Sequence, residues 1–182
     1  NSFFTFNNHV LFFATTPGTG YELWTTDGTS AGTVLVSDIY PGTQSSVPSN
    51  QSPAFCQFAG FVYFQANDGQ HGRELWRTDG TPAGTSLVAD LIPGSGDSFP
   101  NSLVVMGGSL YFLATDPAGG AYSLYKSDGT AEGTEVVAYL PDPGYYAVLL
   151  ELRPSSDRLY FRRYSTRPGS PVEMWRSDGT AA

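Results

Sequence analysis

Cysteine is almost missing from this chain. Cys56 stands alone, which excludes an intrachain disulfide. Lysine also occurs once, at Lys126, among 9 basic residues. Acids outnumber bases 17 to 9, for a net charge of −8. A nucleic-acid partner requires a basic footprint and is therefore not expected. No run of about 18 apolar residues is present, so neither a transmembrane helix nor membrane insertion is expected. The start, Asn1-Ser2-Phe3-Phe4, has no Met and no signal-peptide pattern, as a processed or excised segment would not. No stretch carries the 3.6-residue apolar period of a helix. The G-x-S-x-G signature of a serine nucleophile is also missing, and neither His9 nor His71 pairs with a Ser or Cys nucleophile motif.

What the chain has instead is aromatics, at 14% of 182 residues, with 21 Gly and 13 Pro between them. Turn formers separating aromatic and β-branched runs predict many short strands. These runs repeat. Leu23-Trp24-Thr25-Thr26-Asp27-Gly28-Thr29 returns as Leu75-Trp76-Arg77-Thr78-Asp79-Gly80-Thr81. It returns again as Leu124-Tyr125-Lys126-Ser127-Asp128-Gly129-Thr130 and as Met174-Trp175-Arg176-Ser177-Asp178-Gly179-Thr180, at spacings of 52, 49 and 50 residues. A second motif keeps step: Leu11-Phe12-Phe13, Val62-Tyr63-Phe64, Leu110-Tyr111-Phe112 and Leu159-Tyr160-Phe161. A third, Val36-Ser37-Asp38-Ile39-Tyr40-Pro41-Gly42, recurs as Val88-Ala89-Asp90-Leu91-Ile92-Pro93-Gly94. Three motifs on one period identify a tandem repeat.

Each repeat reads as four strands. In the second they fall at about 54–58, 61–66, 74–78 and 85–92. The Asp-Gly pairs between them mark hairpins, because Gly supplies the positive φ of a tight turn. Leu110-Tyr111-Phe112-Leu113-Ala114 is apolar at every position. A sheet with one wet face would alternate, so this strand is expected to be buried on both faces. Four-stranded sheets stacked face to face satisfy that requirement, whereas the coils of a β-helix are usually shorter. The fold class expected is all-β: a β-propeller or propeller-like array of four-stranded antiparallel blades. It forms one repeat domain over 1–182, with repeats at approximately 1–50, 51–98, 99–146 and 147–182. The last is incomplete, with strands near 147–152, 158–164 and 172–177 and no outer strand. A longer parent protein or another chain would supply it.

These residues resemble the bacterial E-L-W-x-x-D-G-T repeat family. Glu22–Thr29 and Glu74–Thr81 match in full. Repeat three departs at Ser123 and Tyr125, and repeat four at Met174. The resemblance implies a propeller-like array in a large secreted or surface-associated protein, and it brings no catalytic residues.

Candidate chemistry is set against that repeat. Trp24, Trp76, Tyr125 and Trp175 are the residues that would stack on a sugar, but large aromatics on a strand flanked by apolar residues are expected to pack between sheets. The turns begun by Asp27, Asp79, Asp128 and Asp178, with Gly28, Gly80, Gly129 and Gly179, offer one carboxylate each. Calcium takes six to eight oxygens, so these read as self-capped turns and no cofactor is expected. Asn67-Asp68-Gly69 resembles the start of a calcium loop but lacks the later acids. Acids that recur with the repeat (Asp38 with Asp90, Glu22 with Glu74 and Glu173) read as structural, since catalysis uses unlike acids in unlike environments. Cys56 lies inside a strand and reads as an inert buried thiol. Asn50-Gln51-Ser52 fits a glycosylation acceptor.

The reading from sequence is a non-enzymatic, secreted or cell-surface module with a structural or adhesive role. Its expected partners are other copies or other parts of the parent protein. A lectin-like propeller that binds carbohydrate is the alternative. A glycosidase-type enzyme is third and would require a non-repeated cluster of acids and Arg. Charge is uneven: residues 1–150 hold 13 acids and 3 bases, while 151–182 hold 4 acids and 6 bases. Arg153, Arg158, Arg162, Arg163, Arg167 and Arg176 would thus steer the last repeat to an acidic surface. If the motif aromatics are core, Trp76→Ala lowers stability by about 3–5 kcal/mol. If they are sugar platforms, the same change removes binding and leaves the thermal melt almost unmoved.

Overall fold

A computed structural model describes residues 3–49, 53–117, 122–140, 147–165 and 172–180; of 147–150, 163–165 and 173 only the backbone is described. Among them there are fifteen strands and no helix, and so none long and apolar enough to cross a membrane. The first sheet holds β1 (Phe4–Phe6), β2 (His9–Thr16), β3 (Thr19–Thr26) and β4 (Val34–Ser37). The second holds β5 (Cys56–Phe58), β6 (Phe61–Asn67), β7 (Arg73–Thr78) and β8 (Ser86–Ala89). The third holds β9 (Asn101–Met106), β10 (Ser109–Thr115), β11 (Tyr122–Ser127) and β12 (Glu135–Tyr139). The fourth has three strands, β13 (Ala147–Pro154), β14 (Leu159–Ser165) and β15 (Glu173–Ser177). Every sheet is an antiparallel meander in chain order. The all-β class and the array of antiparallel blades follow as expected from the repeat.

The chain divides into two compact units, residues 1–99 and 100–182, with two sheets in each. In the first, Leu11, Phe13, Leu23 and Val36 of one sheet share a core with Val62, Phe64 and Trp76 of the other. In the second, Tyr111, Leu113, Leu124 and Val137 share a core with Leu152, Leu159 and Phe161. The second strands of blades two and three are buried on both faces, whereas in β2 and β14 buried residues alternate with more exposed ones. From Leu110 to Ala114 every β10 side chain is buried, which is why its sequence is continuously apolar instead of alternating.

The outer strand carries a bulge at the same step of each complete blade. Leu23 pairs with Ser37 while Trp24 pairs with Leu35, which skips Val36. Likewise Leu75–Ala89 and Trp76–Leu87 skip Val88, and Leu124–Ala138 and Tyr125–Val136 skip Val137. An extra residue on one strand re-aims a side chain. Here Val36, Val88 and Val137 all turn inward, at 2%, 6% and 4% exposure. β8 is shorter than the expected 85–92, because the Leu91 N–H leaves the ladder for the Glu74 carboxylate, 3.1 Å away.

The D-G-T turns are built alike. Asp79 Oδ1 accepts from the Thr81 N–H at 2.9 Å and its hydroxyl at 2.7 Å, and the Thr81 hydroxyl accepts from the Gly84 N–H at 3.0 Å. Asp27 and Asp128 repeat this set, and Asp178 makes the same two bonds to Thr180. The hydroxyl bond, then the amide bond, hold the Asp27 carboxyl below its ordinary range. Gly80 has φ +91°, and a Cβ on Gly84 would lie 2.0 Å from Asp79 Oδ1. Gly80→Val therefore strains the backbone and lowers the melting temperature clearly, by about 1–3 kcal/mol of stability. Gln70→Val, at an exposed turn position, leaves the melt within about 0.5 kcal/mol. Equal melts for the two variants would refute the hairpin assignment.

Candidate functional site

The motif aromatics fall into two groups. Trp76 and Tyr125 are buried at 8% and 4% exposure, and Tyr125 stacks on Phe112 at 5.3 Å. Trp24 is half-buried and pairs across strands with Phe12. Trp175 is 36% exposed, over Phe161 at 6.2 Å. Cys56 is half-buried, and burial pushes its thiol up. Asn50-Gln51-Ser52 and Arg167 lie outside the described residues, as do the side chains of Arg163 and Glu173. Of the other arginines, Arg153 and Arg162 both bind Glu151, at 2.6 and 2.8 Å, and Arg158 meets Asp157 at 3.2 Å.

The repeated glutamates are clamps. Glu22 and Glu74 are completely buried. Glu22 accepts from the N–H groups of Ile39 at 3.0 Å and Ser46 at 2.8 Å. Glu74 accepts from the N–H groups of Leu91 and Ser98 and from the Ser98 hydroxyl. Each carboxylate thus satisfies donors of the connection that follows the outer strand. Burial pushes Glu74 up to about 7; the Ser98 and Leu91 bonds oppose this and the neighbouring Asp90 charge adds to it.

Blade two departs from blade one around this clamp. At the β6–β7 turn, Asp68 Oδ1 accepts from the N–H groups of Gln70 and His71, both at 2.8 Å, and Oδ2 lies 2.7 Å from His71 Nδ1. Burial works to raise the Asp68 carboxyl, but the hydrogen bonds from His71 and Gln70 outweigh it and hold it low. The Asp68 hydrogen bond, then its charge, raise His71 above its usual 6.5, and Asp90 and Glu74 add to this. Asp90 Oδ1 is buried with no hydrogen-bond partner among the described residues. The Arg73 N–H donates to Asp97 Oδ1 at 2.7 Å, and the Arg73 guanidinium lies 5.2 Å from the Phe99 ring centre. Phe99 is 37% exposed at φ +51°. A bulky residue in the left-handed region is a strained outlier of the kind found at functional sites.

Blade one shows how far this departs from the repeat. Tyr21 stands where blade two has Arg73, and its N–H donates to Ser45 Oγ at 2.9 Å. Val47, 2% exposed, stands in the place of Phe99. Blade one is thus sealed and apolar where blade two is polar and open. From the residues alone, Asp68 was weighed only as the start of a calcium loop and His71 only as a histidine without a nucleophile, and Arg73, Asp97 and Phe99 were passed over. Their signal was available, since each differs from its counterpart one repeat earlier.

No family model and no curated protein matches this chain. Fourteen chains of solved structures resemble it, among them two from Bacteroides species. One is described as the Bacteroides ovatus xyloglucan PUL GH43B, 16% identical, with a TM-score of 0.50. The match covers 97% of this chain, which spans 38% of that one. The other, an endo-arabinase from Bacteroides thetaiotaomicron, is 13% identical with a TM-score of 0.47, over 95% of this chain and 72% of that one. The first of these likenesses, in fold, corrects the expectation of a non-enzymatic structural or adhesive module. Enzymes were set aside because the acids recur with the repeat, yet a protein described as a xyloglucan PUL GH43B shares this fold. Of the recurring acids, Glu22 and Glu74 hold the scaffold.

One consequence of the clamp is measurable. Glu74 has its carboxyl raised from 4.5 to about 7, so the folded chain holds this proton more tightly than the unfolded one. The stabilisation is complete below about pH 4.5 and is lost as pH rises through about 7. Melting temperatures from pH 4 to 8 should therefore decline for the wild type and stay flatter for Glu74→Gln. Identical slopes would mean that Glu74 titrates as an ordinary carboxyl.

Proposed function

We propose that this chain forms part of a carbohydrate-active propeller of the glycoside-hydrolase type, and that the Asp68–His71–Arg73–Phe99 cluster meets the sugar. The observation that carries the reading is the departure of blade two from its own repeat. It gathers His, Arg, aromatic and acid groups around one turn and holds Phe99 in a strained conformation at the surface. An exposed ring beside polar hydrogen-bonding groups suits a sugar, which offers an apolar face and a rim of hydroxyls.

Hydrolysis of a glycosidic bond requires a proton donor for the leaving oxygen and a carboxylate on the reacting centre. His71, 39% exposed in its side chain and with its proton affinity raised by Asp68, is the donor in this reading. Asp90, with its unpartnered oxygen and its charge acting on His71, is the carboxylate. Glu74 is sealed and holds the loop. A secreted or cell-surface setting follows from the same reading, because polysaccharides are met there.

Xyloglucan oligosaccharides are the first probe, on the strength of the name printed for the similar structure. Reducing-end release and calorimetric binding should be measured together. Phe99→Ala should weaken binding about tenfold or more while the far-ultraviolet spectrum stays unchanged. Asp90→Asn should lower release without matching loss of binding. The pH–rate profile should fall on the alkaline side as His71 loses its proton. Wild-type protein that neither binds nor cleaves xyloglucan, arabinan or xylan fragments would overturn the reading.

A further inference from the structure

The turn that presents Asp68 and His71 does not rest on its own blade alone. The Asn67 N–H donates to the Ser46 carbonyl at 2.9 Å, in the connection that leaves blade one. Two residues on, Gly69 has φ +83°, and a Cβ there would come within 2.7 Å of Cε1 and Cζ of Tyr40. The Tyr40 ring thus lies directly on the backbone of the turn, an approach that only glycine admits. At its far end the turn meets the connection of blade two. A Cβ on Gly72 would collide with the Gly96 carbonyl, and the Arg73 N–H donates to Asp97 Oδ1 at 2.7 Å. The turn is therefore wedged between two connections, one from each blade of the first unit.

Tyr40 is itself fixed. It is half-buried in the turn Asp38–Gly42. Before it the Ile39 N–H donates to Glu22 Oε2 at 3.0 Å, and the Tyr40 N–H donates to the same carboxylate. After it the Gly42 N–H donates to Asp38 Oδ2 at 3.2 Å, and the Gly42 carbonyl accepts from the Gly20 N–H at 3.0 Å. The repeat does not require the contact with Gly69. One repeat later Ile92 takes the place of Tyr40, and it turns back onto Gly96 of its own connection. One repeat earlier Pro17 takes the place of Gly69. Two departures from the repeat, a ring and a glycine, meet at the turn that carries the Asp68–His71 pair.

We propose that Tyr40 is a positioning residue of the candidate site: its ring, laid on Gly69, holds the turn in the shape that sets the His71 imidazole against the Asp68 carboxylate. Its use in catalysis rests on the reading given above, with His71 as the proton donor. The means is steric. Asp68 Oδ1 accepts from the N–H groups of Gln70 and His71 while Oδ2 reaches the His71 ring. These three bonds require Gly69 to keep its left-handed conformation. Glycine has more conformations to leave than any other residue, and a flat ring against it removes them. The gain is in placement, because a displacement of about 1 Å in a reacting group costs on the order of a hundredfold in rate.

The test follows His9 and His71, the two histidines of the chain, by NMR titration of the whole chain without any sugar. His9 is the internal control, because its ring bonds to the Asn7 carbonyl in a different turn. In the wild type His71 should titrate above 6.5, through its hydrogen bond to Asp68, the charge of that carboxylate, and the charges of Asp90 and Glu74. Tyr40→Ala should bring the titration of His71 down toward 6.5 and leave His9 unmoved. Amide exchange at Gln70 and His71 should speed up about tenfold or more as their bonds to Asp68 loosen. Tyr40→Phe keeps the ring and should behave as the wild type in both measurements. If Tyr40→Ala does not fold, Tyr40→Leu, which fills the space without a flat face, should show the same shift. A lowered melt with His71 titrating as in the wild type would overturn the proposal and leave Tyr40 as packing. Tyr40→Phe behaving like Tyr40→Ala would overturn it too, because the hydroxyl and not the ring would then be acting. A chain that cleaves no glycan would refute the function proposed above without altering this titration, so the two fail separately.

Discussion

Each of the first two blades is held by one buried carboxylate. A chain leaving the outer strand for the next blade exposes N–H groups with no ladder partner, and burying them unpaired would cost about 1–3 kcal/mol each. Glu22 and Glu74 take up those donors from the neighbouring strand, bonding at two points of a connection spanning seven residues. Blade three has Ser123 instead. The oxygen of that side chain has no hydrogen-bond partner among the described residues, and the Leu140 N–H donates to the Tyr122 carbonyl at 3.1 Å. The clamp is therefore a device of the full motif and weakens when the motif lapses.

The clamp also links scaffold to chemistry. Glu74 is held in the same place as Glu22, yet the groups around it differ. Arg73 and Asp97 replace Tyr21 and Ser45, and a turn closed by Asp68 and His71 replaces Thr16–Thr19. A rigid, repeated frame allows such substitutions because its own hydrogen bonds do not depend on them. Strain at Phe99 is tolerated for the same reason: Ser98 and Phe99 both donate to the Arg73 carbonyl, at 3.0 and 3.2 Å, which locks the backbone around the outlier.

Most of the fold was legible in the residues. Continuous apolarity from Leu110 to Ala114 meant burial on two faces, and the recurring Asp-Gly-Thr meant a self-capped turn, because both signals are local and come from backbone and side-chain chemistry within a few residues. The strand order followed from hairpins in sequence. Less of the site was legible. His71 alone reads as an unpaired histidine, since its partners Asp90 and Glu74 act from other strands and loops. The recurrence of Asp38 with Asp90 made both look structural, and sequence does not reveal that the charge of Asp90 acts on His71.

The tryptophans mark the boundary between the two kinds of information. Trp24, Trp76 and Trp175 occupy one motif position, and the chain's own pattern settles that each lies on the third strand facing a cross-strand aromatic. Whether such a ring is core or surface depends on what lies next to it. Trp76 is closed over by β8 and Trp175 is not. Secondary structure and turn geometry arise from contacts a few residues apart, so a sequence encodes them directly. Exposure and perturbed proton affinity arise from groups brought together across tens of residues, and these exist only once the chain has folded.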